Sequence, residues 1–195
     1  MMGIDYGDLE RVYYCKFLGI VNGMKYNINQ LIEKRFLPIE IESVKEMKTW
    51  VNVKKERIYT KLKVIAKTYC PICEKWIRFE GVGVVSIDVY FLIYSEKIED
   101  LKEDDIKRFV TCRAPYVLAI ALSSIILKRH LNKNHDVRLR TVKKNTGNYI
   151  VRRSAVGTST YGISYHVYQC PFCNKELNGL KQAVLHILEH LKKEG

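Results

Sequence analysis

The chain has 195 residues, 47% of them hydrophobic and 28% charged. That length suits one domain or two small ones, and the balance excludes a disordered polymer. Thirty-three Lys and Arg oppose twenty-one Asp and Glu, a formal charge of +12, which points to a polyanionic partner, nucleic acid before an anionic membrane surface.

In chain order, residues 1–55 form an N-terminal strand and helix segment. Arg11 to Val21 reads as a strand ending at the turn signal Asn22-Gly23. Asn29 caps a short helix through Phe36, stopped before Pro38. A second segment, 56–136, opens with an alternating stretch over residues 56–69. Ile58, Leu62, Val64 and Ala66 share one face; Arg57, Lys61, Lys63 and Lys67 share the other. This predicts a half-buried strand with a basic outer face. Trp76 to Phe79 and Val82 to Tyr94 read as further strands around Gly81 and Gly83. An acidic helical stretch covers Glu96 to Phe109. Pro115 then fits the first turn of a second helix, running to about Leu131. Val117, Leu118, Ala119, Ile120, Leu122, Ile125 and Ile126 make it apolar nearly all round, so it should be buried.

A third segment, 137–162, reads as a basic β-hairpin and hinge. Val137–Val142 and Tyr149–Ser154 flank Asn145-Thr146-Gly147-Asn148, and Ala155 to Gly162 is rich in Ser, Thr and Gly. The last segment, 163–195, holds a strand over 163–169 and a helix from Gly179 to about Lys193. The class implied is α+β. No membrane span is expected: Tyr116–Ala121 is short, Asp88 interrupts the run from Val82 to Tyr94, and a span needs about 20 mostly apolar residues. The N-terminus lacks the basic region of a signal peptide, so a cytoplasmic protein is expected. There, six Cys are thiols or metal ligands rather than disulfides.

The charge is concentrated. Residues 128–195 carry thirteen basic side chains against four acidic, and Lys128 to Arg153 holds nine against Asp136 alone. Arg138, Arg140, Lys143, Lys144, Arg152 and Arg153 lie on the expected hairpin. Such a ribbon can enter a major groove or track phosphates.

The strongest signal is Cys170-Pro-Phe-Cys173, then twelve residues, His186, three residues and His190. A Cys-x-x-Cys turn points two thiolates at one ion, and His residues four apart share a helix face. Over Tyr168 to Leu191 the sequence resembles the two-Cys/two-His zinc-finger family. The resemblance implies a ββα unit with Zn²⁺ on Cys170, Cys173, His186 and His190. Tyr168 falls where the family places its first aromatic, Leu177 replaces the second, and Ala183 stands where Leu is usual. The family's base-contacting positions correspond to Gly179, Lys181, Gln182 and Leu185; Gln182 could read adenine and Lys181 touch phosphate. The helix also carries Leu180, Leu185, Ile187, Leu188 and Leu191, more apolar surface than a lone finger buries. It should therefore pack on the rest of the chain or on a protein partner.

Tyr69-Cys70-Pro-Ile-Cys73 repeats the knuckle, but its next His candidates, His130 and His135, follow only after 56 residues. Two arrangements are open. In one, Cys70, Cys73, His130 and His135 form a finger split by inserted strands and an acidic helix. In the other, both Cys pairs share one ion in a four-thiolate ribbon. Cys15 and Cys112 read as buried apolar thiols, and His166 carries no role. With no recognised hydrolase, deaminase or phosphate-loop motif, and four ligands per site, an enzyme is not expected and zinc is structural. Abundant Lys, Glu, Ile and Tyr with few Gln and Ala suggest a hyperthermophile, and as a small finger protein the chain resembles those of hyperthermophilic archaea and their viruses, which would make the setting host-intracellular if viral. The leading expectation is a zinc-dependent nucleic-acid-binding protein, DNA before RNA, acting in transcription or genome maintenance. The other is a zinc-stapled protein-interaction module.

Overall fold

The computed structural model describes the backbone of residues 18–21, 24–27, 36–93, 95, 97–154 and 157–194. β1 (Leu18–Val21) and β2 (Met24–Asn27) pair antiparallel, with Val21 opposite Met24. The rest of the expected strand, from Arg11, and most of the helix expected from Asn29 lie outside the described residues.

β3 (Ile39–Asn52), β4 (Arg57–Cys70) and β5 (Lys75–Asp88) form an antiparallel sheet in that order. The alternation of β4 is realised: Ile58, Leu62, Val64 and Ala66 are fully buried, while Lys61 is exposed. β5 is one continuous strand, not two strands broken at its glycines. Gly81 and Gly83 face the core, where an added Cβ would lie 2.6 Å from Leu122 Cδ1 and 2.5 Å from Leu118 Cδ1. They admit a helix rather than a turn. The strand stops at Asp88, whose carboxylate accepts the Tyr90 N–H at 2.9 Å. The residues that follow, expected as strand, are helix α1 (Val89–Ile93).

After a 3₁₀ turn over Ile98–Asp100, α2 (Glu103–Arg108) runs through a π turn (Phe109–Arg113) into α3 (Ala114–His135). Glu103, Asp104 and Asp105 in the first turn of α2 suit the positive helix end. Pro115 sits in the first turn of α3, where its missing N–H costs nothing. α3 lies across the inner face of the sheet and buries Tyr116, Leu118, Ala119, Leu127 and Leu131. It is not buried all round: Val117 is 41% and Ile125 50% exposed. By length and composition the run Glu103–His135 could cross a membrane, contrary to expectation, yet half of its most apolar window is buried inside the fold. Cys112 is disulfide-bonded, not the free apolar thiol expected; its partner lies outside the described residues.

α3 ends at Asp136, a left-handed residue with φ 52°. β6 (Arg140–Ser154), β7 (Gly157–Gln169) and β8 (Glu176–Asn178) then form a second antiparallel sheet, followed by α4 (Leu180–Glu194). The expected turn at Asn145–Asn148 is instead a shift of register within β6. Asn145 opposes Ser164 and Asn148 opposes Gly162. Asn and Gly tolerate the backbone of a bulge as readily as that of a turn. The chain reverses between Ser154 and Gly157, and residues expected as a hinge belong to β7.

Two hydrophobic clusters result. One joins the first sheet to α3. The other joins Leu37, Leu127, Leu131 and Val137 to Tyr168, Leu180, Ala183, Val184 and Ile187. The apolar face of α4 is therefore satisfied within the chain. Ala183 is fully buried there.

Candidate metal centres

The first centre forms where the β4–β5 turn meets the end of α3. Cys70 is the last residue of β4 and fully buried; Cys73 lies in the turn, which left-handed Glu74 (φ 57°) completes. His130 and His135 hang from the last turns of α3. Cys70 Sγ is 3.7 Å from His135 Nε2, Cys73 Sγ 3.3 Å from His130 Nε2, and the two Nε2 atoms are 3.2 Å apart.

The second centre repeats this plan. Cys170 follows β7, Cys173 lies in the turn, and left-handed Asn174 (φ 60°) takes the place of Glu74. The Phe172 N–H donates to Cys170 Sγ at 3.4 Å. His186 and His190 lie one turn apart on α4, their Nε2 atoms 3.1 Å apart. Cys173 Sγ is 3.1 Å from His186 Nε2 and 3.4 Å from His190 Nε2.

Tetrahedral zinc with bonds of about 2.3 Å to sulfur and about 2.0 Å to nitrogen places N···N edges near 3.3 Å and S···N edges near 3.5 Å. The observed separations, 3.1 to 3.7 Å, match those edges in both centres. In each, the four ligand atoms lie within 4.8 Å of one another. The chain thus groups its ligands as two Cys₂His₂ sets, the split-finger arrangement, and not as one four-thiolate ribbon. Thiolate and imidazole donors in such an array suit zinc.

The electrostatics of the first centre follow its position. Burial pushes the Cys70 thiol up, against the backbone N–H groups of Cys73 and Ile72, which pull it down. Burial lowers the basicity of His130, helped by the positive charges of His135 and Lys75, and burial alone lowers that of His135. Both imidazoles are held toward the neutral form that binds metal.

The expected nucleic-acid contacts are spread over several elements. Arg138 is exposed in the connection after α3 and donates to Asn132 Oδ1 at 3.1 Å. Arg140 and Lys143 are exposed on β6, whereas Lys144 pairs with Glu176 at 3.2 Å. Arg152 and Arg153 oppose Ser159 and Thr158 in the backbone register; their side chains lie outside the described residues. On α4, Lys181 is half-buried and Gln182 exposed. Lys128, not singled out by the sequence, bridges the two units: its Nζ lies 4.8 Å from the Tyr168 ring and 3.2 Å from Thr141 Oγ1. Strand β3 was also unforeseen, though Ile39 and Ile41 carry the alternation that would have found it.

No protein-family model matches the chain, and no curated protein or solved structure matches it either.

Proposed function

We infer that the chain is a nucleic-acid-binding protein whose two zinc ions are structural, and that it serves transcription or genome maintenance. The observation that carries this reading is a pair of complete four-ligand sets on a chain of charge +12. Four protein ligands leave no open coordination position, which favours a structural over a catalytic ion. Cys70, Cys73, His130 and His135 would hold one ion, Cys170, Cys173, His186 and His190 the other. Each ion would lock a helix onto a hairpin. The basic excess in the last third supports phosphate binding, with exposed Arg138, Arg140 and Lys143 as its nearest donors.

Salt titration tests the reading. Each neutralised phosphate releases counterion, so log K should fall against log salt by about 0.9 per contact on duplex DNA, roughly 2.7 for these three. Arg138→Ala with Arg140→Ala should flatten the slope by roughly two, equally for unrelated sequences. Leu185, 40% exposed on α4, favours a second reading, a protein-interaction module. Partner capture that depends on Leu185, without salt-dependent nucleic-acid binding, would establish it instead.

A further inference from the structure

The outer face of the first sheet, turned away from α3, carries chemistry that the metal centres do not use. Its register sets Lys45 opposite Lys63 and Lys48 opposite Lys61. Like charges directly opposed destabilise a sheet. Glu80 offsets Lys63 at 3.1 Å, but among the described residues no carboxylate pairs with Lys45, Lys48 or Lys61. The two adjacent rows make this face a concentrated positive surface.

Aromatic pairs flank these rows. Trp50 stacks on Tyr59, ring centroids 5.4 Å apart and planes 9° from parallel. Tyr69 meets Trp76 at 5.4 Å, and Trp76 is 41% exposed. A lysine Nζ lies 5.3 Å from each tryptophan ring, Lys48 over Trp50 and Lys67 over Trp76. Tyr59 and Tyr69 share one face of β4, about 33 Å apart at the rise of a strand. Between them Val82 and Val84 are 48% and 54% exposed, beside the lysines they oppose.

We propose that this face binds single-stranded nucleic acid, with phosphates on Lys45, Lys48 and Lys61 and bases stacked on the aromatic rings. A single strand frees its bases to stack, and a basic sheet face bearing aromatic rings serves both its charge and its π surface. An acidic peptide would satisfy the lysines but leave the rings unused. The inference rests on the nucleic-acid reading above, and deepens it with a ligand class and a surface apart from β6.

The test uses the full-length, zinc-loaded protein with oligothymidylate, oligouridylate of the same length, a duplex, and inorganic polyphosphate. The chain's two tryptophans are Trp50 and Trp76, both on this face, so intrinsic fluorescence reports its occupancy. Either single strand should quench it saturably; polyphosphate should not. Lys48→Gln with Lys61→Gln should weaken single-strand binding about tenfold and flatten its salt slope by about 1.4. That variant should melt no lower than the wild type, because the substitution relieves repulsion. Trp76→Leu should weaken binding roughly fivefold or more. The inference is overturned if single strands bind without quenching, if both variants bind like the wild type, or if polyphosphate quenches as strongly. Loss of single-strand binding only on Arg138→Ala with Arg140→Ala also overturns it, while sparing the reading above. No binding to any nucleic acid defeats that reading itself.

Discussion

The two Cys₂His₂ sets have the same ligand types, a left-handed residue just after the second Cys of each knuckle, and histidines on a following helix, yet they differ in what holds them. In the first, 56 residues separate Cys73 from His130, and they build β5, α1, α2 and most of α3. Loop closure alone would make an ion there worth about 1.4 kcal/mol more than one closing the twelve residues of the second. That advantage is overridden, because the sheet and α3 already close the loop through their own core. The second set has a three-residue β8, an exposed Cys173 and a helix whose buried face is Leu180, Ala183, Val184 and Ile187. We expect the same ligand chemistry to act as a clasp on an existing fold in one place and as a condition for folding in the other.

The sharpest way to break this comparison is Cys170→Ser. A structural zinc contributes about 10 to 16 kcal/mol to a small finger, so the variant should lose the helicity and amide protection of α4. The amides of β4 and β5 should keep theirs, together with one bound zinc. Hydrogen exchange with metal analysis reads both; equal loss of protection across the chain would erase the distinction. Cys70→Ser should act in the opposite sense, releasing the first ion while the first sheet stays protected.

Leu131→Ala probes what the centres share. Leu131 is fully buried between them, in the cluster that includes Val184 and Ile187. Its truncation should cost about 3 kcal/mol and lower the unfolding midpoints of both units. A midpoint shift confined to one unit would mean that the cluster does not couple them. Gly83→Ala should act on the first unit alone, at about 1 to 2 kcal/mol, since the new Cβ must displace Leu118 from the sheet. Unchanged denaturant midpoints would show that α3 is not seated as closely as described.

The smallest effect is the pH response of the metal-free protein. Burial holds His130 and His135 below their ordinary value of 6.5, so around that pH the folded chain binds fewer protons than the unfolded one. Stability is intact above pH 6.5 and lost as pH falls below it. Urea midpoints of the first unit should be lower at pH 5.5 than at pH 7.5, and His130→Gln with His135→Gln should reduce the difference. A midpoint that rises on acidification would reverse the assigned sign.

What was legible in the sequence was what local spacing dictates. Cys170, Cys173, His186 and His190 are fixed by a turn and one helical repeat, and Ile58 to Ala66 by strand alternation. Pairing Cys70 and Cys73 with His130 and His135 was readable because those histidines end an apolar helix, as in the compact finger. Features set by distant partners were not. Gly81 and Gly83 looked like breaks because Leu118 and Leu122, which need their missing side chains, are some 35 to 40 residues away. Asn145–Asn148 looked like a turn because bulge and turn draw on the same residues. The exposed side of α3 and the disulfide at Cys112 depend on packing that composition does not encode.

The central claim is that one chain carries two separate zinc centres of unequal structural weight. It is tested most directly by zinc content per chain, measured in the wild type and during chelator titration followed by far-ultraviolet circular dichroism. The account predicts two zinc ions per chain, with helix lost in step with one ion and the β-sheet signal kept after both are removed. One zinc per chain, or a single cooperative collapse on removing the first ion, would contradict it.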